Sequence, residues 1–140
     1  MERTKGRFLS LLLVLSCVLT LPASATVKAS DQIDAYDGDA IACGGGKIAI
    51  EFSIEGTDQM KKLGASKIRI SERDGTDGWI IAEVFTSSDA GMTASGRNFY
   101  GNTKYFNGVS GTYYKVEITV FATDYDGITD SRTVTCYVTA

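Results

Sequence analysis

The chain has 140 residues, with 14 Lys+Arg against 17 Asp+Glu, one proline, three cysteines and no histidine. That is one small domain. Without histidine there is no Ser-His-Asp or Cys-His catalysis and no histidine-ligated zinc, and a formal charge of −3 argues against a nucleic-acid partner, which needs a basic face for phosphates.

The first 25 residues read as a leader. Arg3, Lys5 and Arg7 form a positive start, Phe8 to Leu21 is an apolar run, Pro22 breaks it, and Ala23-Ser24-Ala25 supplies small residues for signal peptidase. That order predicts a secretory signal peptide cleaved after Ala25. The apolar run, about 14 residues, is shorter than the roughly 20 that span a bilayer. Lipidation at Cys17 is disfavoured by bulky Leu15 and by the apolar continuation Val18-Leu19-Thr20-Leu21. The expectation is a secreted, extracellular protein with no membrane attachment after cleavage. The mature chain, residues 26–140, carries a net charge of −5.

Cys43 and Cys136 remain after cleavage. An even pair in a secreted chain predicts one disulfide. Closing a loop of about 93 residues would contribute roughly 4–5 kcal/mol in the chain-entropy model. Two buried free thiols are the alternative. A catalytic cysteine is not expected, because no histidine is present to lower its pKa.

Residues 26–40 are polar, with Asp31, Asp34, Asp37 and Asp39, and read as an arm or a short edge strand ahead of a domain at 41–140. Ile41-Ala42-Cys43 opens a strand and Gly44-Gly45-Gly46 breaks it. A phosphate loop is not expected there, since neither Lys-Ser/Thr nor a helix follows. Lys47 to Ile54 alternates, with Ile48, Ile50, Phe52 and Ile54 on one face. Thr57 to Leu63 predicts a short helix, capped by Thr57 and ended by Gly64. Lys67 to Glu72 is a strand, Asp74 to Gly78 a turn, and Trp79 to Thr86 a strand too apolar for its faces to be assigned. A loop over 87–95 leads to an aromatic strand, Arg97 to Phe106, interrupted near Gly101-Asn102. Tyr114, Val116, Ile118, Val120 and Ala122 face inward on the next strand, opposite Tyr113, Lys115, Glu117, Thr119 and Phe121. Asp124 to Asp130 forms a hairpin connection, and Val134, Cys136 and Val138 point inward on the last strand. About seven strands with frequent turns predict an all-β fold, a single antiparallel β-sandwich.

Val109-Ser110-Gly111-Thr112-Tyr113-Tyr114, running into the alternating strand that ends at Ala122, resembles the E–F corner of fibronectin type III domains, within the immunoglobulin-like sandwiches. The resemblance implies that Tyr114 is a corner tyrosine whose hydroxyl bonds to upstream backbone. The turn lacks the family's proline and is one residue shorter. The whole chain also resembles a family of small secreted proteins from Gram-positive, clostridia-like bacteria. The leader, Leu63-Gly64-Ala65-Ser66-Lys67-Ile68, the Trp79 strand, Ser87-Ser88-Asp89-Ala90-Gly91-Met92 and the Tyr113-Tyr114 strand carry it. That resemblance implies a location and no activity.

Three Asp-rich clusters suggest hard-cation chemistry: Asp34/Asp37/Asp39, Asp74/Asp77 and Asp124/Asp126/Asp130. The last starts most like a calcium loop but lacks its twelfth-position glutamate, and turn chemistry also demands Asp and Gly. No other cofactor is expected. Glu51, Glu83 and Glu117 are mid-strand carboxylates of the kind glycoside hydrolysis uses in pairs, yet carboxylates on the solvent face of a sandwich are the ordinary case. Tyr113 and Phe121 join the candidate outer rings, and Phe99, Tyr100, Tyr105 and Phe106 form the candidate binding surface. The expectation is a monomeric binding or structural surface module without catalysis, whose partner is an extracellular protein or glycan. The alternatives are a calcium-dependent adhesion or carbohydrate-binding module, and a small secreted enzyme or enzyme inhibitor.

Overall fold

A computed structural model describes residues 30–75 and 77–140. The expected leader, its cleavage point, Cys17 and the arm up to residue 29 lie outside the described residues. The described chain is all strand and turn: β1 (Ile33–Gly44), β2 (Lys47–Met60), β3 (Lys62–Arg73), β4 (Trp79–Thr86), β5 (Thr93–Ala94), β6 (Arg97–Asn107), β7 (Tyr113–Thr123) and β8 (Thr129–Thr139). The strands form two antiparallel sheets. The first has the order β1-β2-β6; the second has β4-β3-β7-β8, with β5 also on β3.

Alternation in the sequence sets the core. Ile48, Ile50, Phe52 and Ile54 of β2 face Ile68 and Ile70 of β3 and Tyr114, Val116, Ile118 and Val120 of β7 in a single buried cluster drawn from both sheets. This is a sandwich-like arrangement. Each apolar face is removed from water only by the other, at roughly 25 cal/mol per Å² of apolar surface.

The strand begins earlier than residue 41. Residues 33–40 of the expected arm are the first half of β1, an edge strand, and Ile33 and Ala40 are in the core. The glycine triplet is a hairpin turn. Gly45 and Gly46 have φ of 63° and 86°, the left-handed pair that a two-residue turn between twisted strands requires.

The helix expected over Thr57–Leu63 does not form. β2 continues to Met60, Lys61 alone separates it from β3, and the chain crosses between sheets there. The local polar groups find non-helical partners: Thr57 N–H donates to the Gln32 carbonyl, Thr57 Oγ1 to the Asp31 carbonyl, and the Met60 carbonyl accepts Gly96 N–H. Met60 and Leu63, spaced like one side of a helix, are instead buried on the two sheets in turn. β6 runs through Gly101 without interruption, paired with Ser53.

The turn between β6 and β7 is pinned at Tyr114. Its buried ring meets Phe106 edge-on at 5.3 Å, and its hydroxyl accepts Val109 N–H at 2.9 Å. β4 is an edge strand carrying an extra residue, Ala82, opposite the Ile70–Ser71 step of β3. The bulge disturbs alternation, and Ile80, Ile81 and Val84 are all exposed.

Candidate functional site

The outer face of the second sheet carries an aromatic cluster. Cross-strand register builds it: Trp79 lies opposite Arg73, and Lys115 lies opposite Tyr137, with Tyr113 two residues along on the same face as Lys115. Trp79 is 5.8 Å from Tyr113 and 5.9 Å from Tyr137 between ring centroids. Tyr113 and Tyr137 stack at 5.9 Å with 15° between their planes. The Arg73 guanidinium sits 5.1 Å from the Trp79 ring, and Lys115 Nζ sits 5.0 Å from it. Asp77 holds Arg73 in place at 2.9 Å. Ser71, paired with both Lys115 and Ile81, is buried beneath these longer side chains. Ile81 and Val84 extend the exposed apolar surface toward the sheet edge.

This face is cationic although the chain is acidic. Lys67, Arg69, Arg73 and Lys115 occupy outward positions, against two carboxylates, Glu117 on Arg69 at 2.7 Å and Asp77 on Arg73 at 2.9 Å. The outer face of the first sheet is the reverse, with Asp37, Asp39, Glu51 and Glu55 against Lys47 and, at the far end of β6, Arg97. It holds a shallow depression of about 460 Å³ lined in part by Asp37, Asp39, Glu51, Ser53 and Gly101.

The four aromatic residues expected to form one binding surface are divided by the pleat. Phe99 and Tyr105 point outward from β6 and are exposed. Phe106 is buried against Tyr114. Tyr100 packs against Phe52 at 6.1 Å and donates its hydroxyl to the Gly91 carbonyl at 2.7 Å, tying the 87–95 loop to β6. Tyr100 and Phe106 are structural. Tyr113 is an outer ring as expected, whereas Phe121 is buried.

The Asp124, Asp126 and Asp130 carboxylates do not converge on a cation site. Asp124 Oδ1 accepts the N–H groups of Asp126 and Ile128, and its Oδ2 accepts Gln32 Nε2. Asp130 Oδ2 accepts Ser30 Oγ and Gln32 N–H. The bond from Ile128 holds the Asp124 carboxyl below its usual pKa, aided by Gln32, and the Ser30 hydroxyl does the same for Asp130. Among the described residues no group of three or more His, Cys, Asp or Glu side chains is placed to hold a metal ion. The three mid-strand glutamates are equally dispersed: Glu51 is on the first sheet, Glu83 on β4, and Glu117 is paired with Arg69.

The expected disulfide is also corrected: Cys43 and Cys136 are separate thiols. Cys136 Sγ lies 3.4 Å from the Gly38 carbonyl. Cys43 is five residues farther along β1, roughly 16 Å at the rise of a strand, and is exposed near the hairpin. A bridge needs Cα atoms within about 7 Å. Alternation places Cys136 inward as expected, but not beside the end of β1.

Trp79, Tyr137, Arg73 and Lys115 were not singled out by the sequence. Tyr113 and Tyr137 each precede or follow an inward residue, so alternation places both outward. The register that brings Trp79 beside them depends on the β4 bulge. No protein-family model matches this chain, and no curated protein matches it.

Proposed function

We propose that this chain is a secreted, non-catalytic recognition module of the fibronectin type III-like kind, which binds an acidic surface of an extracellular protein through the outer face of its second sheet. The observation that carries the reading is the Trp79–Tyr113–Tyr137 cluster flanked by Arg73 and Lys115. Tryptophan, tyrosine and arginine are the residues that dominate protein interfaces, and exposed apolar surface rimmed by charge is costly unless it has a use. A protein partner fits better than a sugar. Two cations lie against the Trp79 ring, its tyrosine neighbours lie against each other, and Ile81 and Val84 continue the patch as aliphatic surface.

Two features support the subtype. β4 pairs with β3, whereas in the immunoglobulin constant arrangement the fourth strand joins the sheet of the first two. The Tyr114–Val109 bond occupies the corner position that the resemblance implies.

Retention on immobilised polyglutamate at low salt tests the reading, with a neutral-glycan array beside it. Wild-type protein is retained on the acidic polypeptide, and a Trp79→Ala/Tyr137→Ser variant of unchanged helix-free circular dichroism is not. Equal retention of the variant, or binding to neutral glycans alone, overturns it.

A further inference from the structure

We infer that the acidic protein surface is that of a second copy of this chain, and that copies dock head to tail, the aromatic ridge of one against the depression on the first sheet of the next. The inference rests on the recognition reading above and names its partner.

The two outer faces complement each other in charge and relief. Outward positions of β3 and β7 supply Lys67, Arg69, Arg73 and Lys115; outward positions of β1 and β2 supply Asp37, Asp39, Glu51 and Glu55. The first sheet is hollow because its central cross-strand row, Asp37–Ser53–Gly101, is built from short residues. Exposed apolar side chains lie one cross-strand row beyond the hollow, Phe99 at one end and Ile41 and Tyr105 at the other. The opposite face bears the half-buried Trp79 ring with the exposed Tyr113 and Tyr137 beside it and two cations against it. An aromatic-cationic ridge and an acidic hollow with apolar side chains at its two ends can bury apolar surface and pair charge in the same contact. The two patches lie on opposite sheets, so the contact is heterologous: it leaves a free ridge at one end and a free hollow at the other, and repeats. The monomer expected from the sequence is then the species at low concentration.

Sedimentation velocity over a concentration series, at low and high ionic strength, tests this. Wild-type protein shows a weight-average sedimentation coefficient that rises with concentration and falls with salt. A ridge variant, Arg73→Glu/Lys115→Glu, and a hollow variant, Asp37→Lys/Asp39→Lys, are each monomeric alone. Each keeps one intact patch, so mixing them in equal amounts forms a heterodimer and nothing larger. Tyr137→Glu and Glu51→Lys, both on exposed side chains, take their place if the double variants do not fold. Wild-type protein that stays monomeric at low salt to its solubility limit overturns the inference while leaving polyglutamate retention, and hence the recognition reading, intact. Variants that still associate alone, or that do not pair when mixed, overturn it as well.

Discussion

The hydroxyl oxygen of Tyr114 accepts the backbone N–H of Val109, five residues upstream, at 2.9 Å. The ring is buried and Gly108 lies against it, so closely that a Cβ there would sit 2.8 Å from the hydroxyl oxygen. Tyr114→Phe keeps the ring and leaves the Val109 donor without its partner, at an expected cost of about 1–3 kcal/mol in urea unfolding. Tyr113→Phe, on the outer face, is expected to cost well under 1 kcal/mol. Equal losses would place the β7 register one residue off.

The two thiols are expected to react at different rates. Cys43 is exposed. Burial pushes the Cys136 thiol pKa up, and the carboxylates of Asp39 and Asp37 add to it. The thiolate is the reacting form, so Ellman titration of folded protein should give a fast equivalent and a slow one. Cys43→Ser removes the fast phase and Cys136→Ser the slow one. A folded protein with no titratable thiol would contradict the structure.

Acid should loosen the start of β1. Asp130 and Asp124 have pKa values lowered in the folded protein, so their bonds stabilise above the ordinary carboxylate pKa, near 4, and that contribution fades as pH falls through the folded values. The protection of the Gln32 and Ile33 amides, whose N–H groups lead to Asp130 and to Ser30, measured against their intrinsic exchange rates at each pH, is expected to fall below about pH 4. Asp130→Asn should speed the same amides at neutral pH. Protection that is insensitive to both changes would mean that these carboxylates do not hold the segment.

The β6 aromatics should separate by face. Tyr100→Ser removes packing on Phe52 and the hydroxyl bond to Gly91, and Phe106→Ser empties the space beside Tyr114. Each is expected to cost about 2–5 kcal/mol. Phe99→Ser and Tyr105→Ser should cost under about 1 kcal/mol, since Tyr105 gives up an exposed contact with Lys47. Thermal melts of the four variants decide this, and a reversed order would turn the strand over.

The strands were legible where inward and outward residues alternate without a break. Ile48 to Ile54 and Tyr114 to Ala122 announce one buried face each, and both form the core. Thr57–Leu63 misled because its Met60–Leu63 spacing suits a helix, while the crossing between sheets at Lys61 imposes the same burial by other means. The disulfide misled because inwardness says nothing about how far along a strand a residue lies. Composition could not reveal the cationic face, since a net charge sums over both sheets and cancels Lys67, Arg69, Arg73 and Lys115 against the acids of the other side. The aromatic cluster depends on register across β4, β3, β7 and β8, which local pattern does not encode.

The extra residue at Ala82 decides which part of the molecule is sticky. Trp79 to Thr86 has no proline and no lysine, and its single charge is Glu83. A regular edge of that composition would template strand addition and seed fibrils. Ala82 puts the spacing of free backbone donors and acceptors out of step halfway along, so an incoming strand meets only a short matching stretch on either side. Ile81 and Val84 stay available to side chains while the backbone is withheld, which restricts contact to the flat of the sheet and guards an exposed apolar strand against runaway polymerisation through its edge.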